Sequence, residues 1–210
     1  SIGERSKEEY RLLREAGADR YLLKHETSDP QLYARLHPGT SLRERVGCLE
    51  TLAELGFQIG TGCIVGLPGQ TVESLADDLL LARRLNVHMA GFGLLIPHPS
   101  TPLSALTMGS PELNLNIMAL ARILIPDLLL AATTALETGM PGGRLAALRS
   151  GCNVIMPNVT PRQYAADYDI YPGKAAPRIS VEEEVAKAKA TIAAAGRTLS
   201  AGPGHSPRCV

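Results

Sequence analysis

The chain of 210 residues has no excess charge of either sign: 21 lysines and arginines balance 21 aspartates and glutamates. Lacking a basic stripe, it offers nucleic acid no electrostatic footprint, and lacking a block of like charge, it shows no sign of a charged tail. Apolar runs long enough to cross a bilayer are missing too; the run at 123–132 is broken by Pro126 and Asp127. No charged-then-apolar leader stands at the amino terminus. Cysteine is scarce, and Cys48, Cys63, Cys152 and Cys209 are too widely spread for a local metal cluster or a disulfide scaffold. These absences argue against nucleic-acid and membrane partners and for a reducing, cytoplasmic setting.

What is present is a rhythm. Five short apolar runs each end in polar or turn residues, at 24–27, 66–71, 97–101, 133–134 and 157–160. Between them lie helix signatures. Ser6 with Glu9, and Ser41 with Glu44, have the spacing of capping boxes, and each precedes apolar residues at helical period, closed by Gly17 and Gly56. Thr71 is placed to cap a helix presenting Val72, Leu75, Leu79 and Ala82. Pro111 opens another, with Leu113, Ile117, Leu120 and Leu124 as its expected buried face. Strands are expected at 20–25, 59–65, 89–96, 128–133 and 153–156, with a short helix at 143–150 before the last. Strand alternating with helix predicts a parallel sheet with crossover helices.

The fold class expected is therefore α/β, a partial (β/α)8 TIM barrel. A closed barrel has about eight strands in roughly 250 residues; five strands and one stub are legible here. The chain opens without Met at Ser1-Ile2-Gly3-Glu4, which reads as a strand end, so further sequence is expected upstream. Residues 1–174 form the expected barrel portion. Residues 175–210 form a tail, with a solvent-facing helix at 180–195 and frayed residues at 202–210.

In such a barrel, chemistry sits at the carboxyl ends of the strands. At Lys24-His25-Glu26-Thr27, strand alternation sends Lys24 and Glu26 to one side and His25 to the other. A carboxylate there can accept hydrogen bonds from a sugar diol, although a solvated strand-end Glu fits equally. Arg45, in the first turn of a helix, suits either a bidentate clamp on a carboxylate or a surface pair with Glu44 or Glu50. The turn from Gly66 to Thr71 lets backbone approach a ligand, yet lacks the dinucleotide and phosphate-loop patterns. Thr133 and Thr134 offer hydroxyls to an anion, or are ordinary strand residues. His98, between prolines, shapes a loop more readily than it ligates a metal. No catalytic side chain and no metal ligand is assigned.

Taken in order and spacing, Ser1–Arg5, Tyr21–Thr27, Val65–Thr71, Ile96–Pro99, Ala132–Ala135, Asn153–Thr160 and Ile170–Lys174 resemble the HydE family. These are radical S-adenosylmethionine (SAM) maturases of [FeFe]-hydrogenase in the biotin-synthase-like group. The resemblance implies that the chain covers the end of barrel strand three through strand eight. It also implies SAM and a [4Fe–4S] cluster as cofactors, the cluster held by a Cys-x3-Cys-x2-Cys loop outside this chain. The reaction implied is a 5′-deoxyadenosyl radical attacking a sulfur-containing iron precursor. A small-molecule or organometallic substrate and other hydrogenase maturases are the implied partners. On this resemblance Ser1, Glu26, Arg45 and Gly66 would bind SAM, with Glu26 on the ribose, Arg45 on the methionine carboxylate and Gly66 near adenine. Lys24, Thr133, Thr134, Met156 and Tyr171 would line the substrate pocket.

Two departures stand out. Lys24 replaces the usual Arg of Arg-His-Glu-Thr, keeping the charge but losing the planar fork. The cluster cysteines are absent, so this polypeptide alone is not expected to cleave SAM. A methylornithine synthase-like or biotin synthase-like enzyme, and a non-catalytic half-barrel binding module, are the alternative readings.

Overall fold

The computed structural model describes residues 1–165, 170–172 and 180–209. The chain runs α1 (Lys7–Glu15), β1 (Arg20–Leu22), α2 (Pro30–Leu36), α3 (Leu42–Glu54), β2 (Gln58–Thr61), β3 (Ile64–Val65) and α4 (Val72–Arg84). It continues through β4 (Met89–Ala90), β5 (Gly93–Leu94), α5 (Pro111–Leu124), β6 (Leu129–Leu130), α6 (Thr134–Gly139) and α7 (Gly143–Arg149). The short α8 (Arg162–Ala165) and α9 (Val181–Ala194) follow. Every strand pair is parallel, in the spatial order β1-β2-β4-β6, while β3 pairs with β5. Helices carry the chain between neighbouring strands, as parallel pairing requires. The result is an arc of an α/β barrel.

Local capping determines where the helices begin. Ser6 with Glu9, and Ser41 with Glu44, form complete capping boxes, as do Thr71 with Ser74 and Ser180 with Glu183. Each satisfies amide donors that the first helical turn leaves unpaired. The buried faces differ in part from expectation. On α5 the buried side is Asn114, Ile117, Met118 and Ala121, while Leu120 is half exposed. Asn114 is tolerated because its amide donates to the Phe92 carbonyl at 3.1 Å. Val72 is exposed on the first turn of α4.

The expected strands 59–65 and 89–96 are each broken in two, between β2 and β3 and between β4 and β5. At the break, Gly62 adopts φ +154°, and a Cβ there would fall 2.0 Å from the Gly91 carbonyl oxygen. The two backbones approach more closely than any side chain permits. Ladder bonds resume beyond it, from Gly93 N–H to Cys63 O at 3.0 Å. The expected strand at 153–156 contracts to one parallel bridge, Ala131 with Val154, because Arg144 and loop contacts take over beyond it.

Four further differences concern connections and termini. Residues 134–139 form a helix where the strand was expected to end, and α2 fills the connection after β1. Ser1–Glu4 is irregular backbone beside β1 rather than a strand: Ser1 Oγ donates to Leu22 O at 2.7 Å, and Tyr21 Oη donates to Gly3 O at 2.6 Å. The segment 203–209, expected to fray, lies across the amino ends of the strands. Arg208 pairs with Asp127 and donates to the Asn86 and Val87 carbonyls, while Ser206 N–H donates to Gln58. Residues 173–179 and Val210 lie outside the described residues, and with them Gly173, Lys174 and the 174/175 boundary. No helix among the described residues is long and apolar enough to cross a membrane.

Candidate functional site

Alternation along the first strand sorts its side chains onto two faces. Tyr21, Leu23 and His25 are buried toward the helices, while Lys24 and Glu26 turn to the concave side. Lys24 Nζ meets Glu26 Oε2 at 3.0 Å, both only partly exposed. Opposite them, Gly93 contributes no side chain; a Cβ there would sit 3.6 Å from Lys24 Nζ. The inner face is thus opened by glycine where the charged pair projects.

A cleft of about 710 Å³ occupies this end of the strands. Its volume falls in the usual range for a small-molecule site, roughly 300–1,000 Å³. Leu67, Leu94, Leu95 and Ile96 supply apolar wall, and Lys24, Glu26, Arg35, His37 and His98 supply the polar groups. Among the described residues that line it, Lys24, Arg35, His37 and His98 stand beside one carboxylate, Glu26.

The residues singled out from sequence are distributed unevenly about this cleft. Lys24, Glu26 and Tyr171 line it, and so does His98, whose Nδ1 also accepts the Ser100 N–H at 3.1 Å and so shapes its loop. Glu26 has φ +66°, a left-handed conformation that is uncommon and costly for a residue with a Cβ. Its N–H donates to Gly62 O and its carbonyl accepts from Ile64 N–H, each at 3.0 Å.

Arg45 is not on the cleft wall. Its Nε lies 2.8 Å from Glu4 Oε1 and donates to Tyr33 Oη at 3.0 Å, not to Glu44 or Glu50. Burial opposes its charge, but Tyr33 and the carboxylates of Glu4 and Glu26 outweigh burial and raise its pKa. Gly66 also lies off the wall. Its N–H is taken by Gln70 Oε1 at 2.8 Å, and a Cβ there would meet Gly109 Cα at 2.5 Å. The glycine is thus required first for packing and turn closure. Ser1 is exposed and bonded to β1.

Thr134 and Met156 meet elsewhere, at Arg144, with Thr133 next to Thr134 in the chain. Thr133 caps α6, while Thr134 Oγ1 and the Met156 carbonyl accept from Arg144 Nη2 at 3.1 and 3.4 Å. The Met156 side chain is half exposed. Arg144 is buried, and its backbone N–H donates to Glu137 Oε2 at 2.8 Å. Tyr171 links this group to the cleft: burial raises its pKa, while Arg144 and Thr138 pull the other way.

Behind Glu26 lies a polar group with no exposure to solvent. His25 Nε2 is 3.2 Å from Asp78 Oδ1, and His25 Nδ1 is 2.9 Å from Thr61 Oγ1. Burial, with Asp78 adding to it, pushes the neighbouring Cys63 thiol well above its usual range. Sequence reasoning missed Asp78, Arg144, Arg35 and His37. Only Asp78 carried a signal, a carboxylate within the apolar stripe Leu75, Leu79 and Ala82 of α4.

Among the described residues, no three histidines, cysteines or carboxylates come together as a metal site. The cysteines are dispersed, with Cys63 and Cys152 buried and Cys209 exposed. These residues do not fit an iron–sulfur cluster. A nucleoside fits better, since a partly buried carboxylate faces a cleft with apolar walls.

Residues 1–82 match the radical SAM superfamily. The chain is 52% identical over 174 residues to the [FeFe] hydrogenase maturase subunit HydE of Thermotoga maritima, covering 83% of this chain and 50% of that protein. It is 31% identical to a biotin synthase of Rippkaea orientalis, over 74% of this chain and 42% of that protein. It is 30% identical to the 3-methylornithine synthase of Methanosarcina acetivorans, over 74% of this chain and 45% of that protein. The crystal structure of methylornithine synthase (PylB) superposes with a TM-score of 0.75 at 22% identity, over 95% of this chain and 58% of that one, which supports the barrel fold. The chain spans about half the length of the curated relatives it matches.

Proposed function

We propose that this chain, a HydE-like member of the radical SAM superfamily, is the part of a hydrogenase maturase that grips SAM and substrate. The observation that carries the reading is the Glu26 carboxylate, held in a left-handed turn at the strand end and facing the cleft with Lys24 beside it. A carboxylate so placed can accept both hydroxyls of a ribose, and charge-assisted bonds of that kind are the stronger ones.

SAM, when bound here and given one electron by a cluster whose ligands are not among this chain's residues, would supply a carbon radical as its sulfur–carbon bond breaks and methionine leaves, for use on a sulfur-containing iron precursor. This chain's own residues bind, orient and exclude water. Arg45, held charged by Tyr33 and Glu4, takes the methionine carboxylate through the edge of its guanidinium that those partners leave open. Ser1 and Gly66 are the remaining SAM contacts in this reading, reached from outside the cleft wall. Lys24 and Tyr171 orient the substrate in the cleft, and Thr134 and Met156, joined by Arg144, with Thr133 beside Thr134, stand behind Tyr171 rather than on the cleft wall. The excess of basic groups among the described residues of the wall suits an anionic substrate such as a cyanide-bearing iron complex, and other hydrogenase maturases are the partners that would supply or receive it.

The test uses the full-length protein, reconstituted anaerobically with iron and sulfide. It should convert SAM to 5′-deoxyadenosine, and Glu26→Ala and Arg45→Ala should each weaken SAM binding. Unchanged SAM affinity in both variants would reject the site.

A further inference from the structure

Asp78 sits on the apolar stripe of α4, fully buried, where packing alone would call for an aliphatic side chain. Burying a carboxylate costs several kcal/mol unless its partners are well placed. Here the partners lie on the strand-end turn. Asp78 Oδ1 accepts the Ser28 N–H at 2.5 Å and lies 3.2 Å from His25 Nε2. Thr61 anchors the other edge of the ring, and its own hydroxyl donates to Leu23 O at 3.0 Å. The contacts therefore fix residues 25 and 28, on either side of Glu26.

That bracket matters because Glu26 holds a conformation its side chain disfavours. A strained residue persists only where its surroundings over-determine it. The ladder bonds to Gly62 and Ile64 fix its backbone on one side, and Asp78 with His25 fixes the turn on the other. We infer that Asp78 and His25 are positioning residues, a buried pair that holds the turn at 25–28 so that the Glu26 carboxylate faces the cleft. The inference rests on the reading of Glu26 as a SAM contact and names what makes that contact possible.

A double-mutant cycle tests it, with SAM affinity measured by calorimetry in the full-length reconstituted protein without turnover. Asp78→Asn keeps the shape and an oxygen for the Ser28 N–H, but it removes the negative charge 3.2 Å from His25 Nε2 and buries an amide where Oδ2 has no partner. We expect it to weaken SAM binding about tenfold, as displacement of a positioned group does. The double variant Asp78→Asn/Glu26→Gln should bind no more weakly than Glu26→Gln alone, because Asp78 acts through Glu26. A merely structural defect would instead add its full penalty to that of Glu26→Gln, and that result would overturn the inference. So would wild-type affinity in Asp78→Asn beside a weakened Glu26→Gln. Wild-type affinity in Glu26→Gln would overturn the SAM reading of Glu26 itself. If Asp78→Asn does not fold, His25→Gln carries the same cycle, and failure of both to fold overturns a positioning role in favour of a structural one.

Discussion

Replacing Glu26 by glycine and by alanine gives a sign test of the strained turn. Both variants remove the carboxylate and leave Lys24 without its partner, so the loss of the 3.0 Å ion pair cancels between them. What differs is the backbone. At φ +66° a residue with a Cβ pays about 1–2 kcal/mol relative to one without. Glycine pays roughly 0.4–1 kcal/mol more than alanine to be ordered from the unfolded chain. The first effect exceeds the second, so Glu26→Gly should be the more stable variant by about 0.5–1 kcal/mol. Elsewhere in a strand or helix the order is reversed, with glycine the less stable by roughly 0.5–1 kcal/mol. For a domain of this size the gap corresponds to about 1–4 °C in melting temperature. Thermal melts followed by circular dichroism read it directly. An alanine variant that melts at or above the glycine variant would refute the claim that the native backbone here is strained. Both variants should lose SAM affinity together, which separates the stability of the turn from its use.

Two further perturbations probe the frame around the site. Gly62→Ala would place a methyl 2.0 Å from the Gly91 carbonyl oxygen, so it should cost about 3 kcal/mol or more, whereas Gly91→Ala meets nothing within 4 Å and should stay within about 0.5 kcal/mol; equal melting temperatures would remove the close approach as the cause of the strand break. His88 has its pKa lowered by burial and by Arg208, against the opposing pull of Asp127. A lowered folded-state value means that the stabilisation is complete above the unfolded value near 6.5 and is lost as pH falls through the folded one. Melts between about pH 7.5 and pH 5 should therefore show a decline that His88→Gln flattens, and an identical slope in that variant would exclude His88 as its source.

The helix starts at Ser6 and Ser41 were readable because a cap and its partner lie three residues apart, and that at Thr71 from the capping residue alone; so was the division of Lys24 and Glu26 from His25, which follows from the two-residue period of a strand. The parallel α/β arc followed from the repeated unit, since parallel neighbours need crossover helices. The strand breaks were not readable: Gly62 must be glycine because of Gly91, which the fold alone brings against it. Nor was the strap at 203–209, whose anchors Gln58, Asn86 and Asp127 are far away in sequence.

The sequence by itself determined which residues cap, which alternate and which turns end the strands, because those preferences are settled by hydrogen bonds and sterics within a few residues. Only the tertiary structure decided that Arg45 pairs with Glu4, that Thr134 and Met156 share Arg144, and that Asp78 reaches across to His25. Most of those pairings join residues from different strand–helix units, and which of many compatible partners meets which is fixed only when the helices pack on the sheet and exclude water from between them.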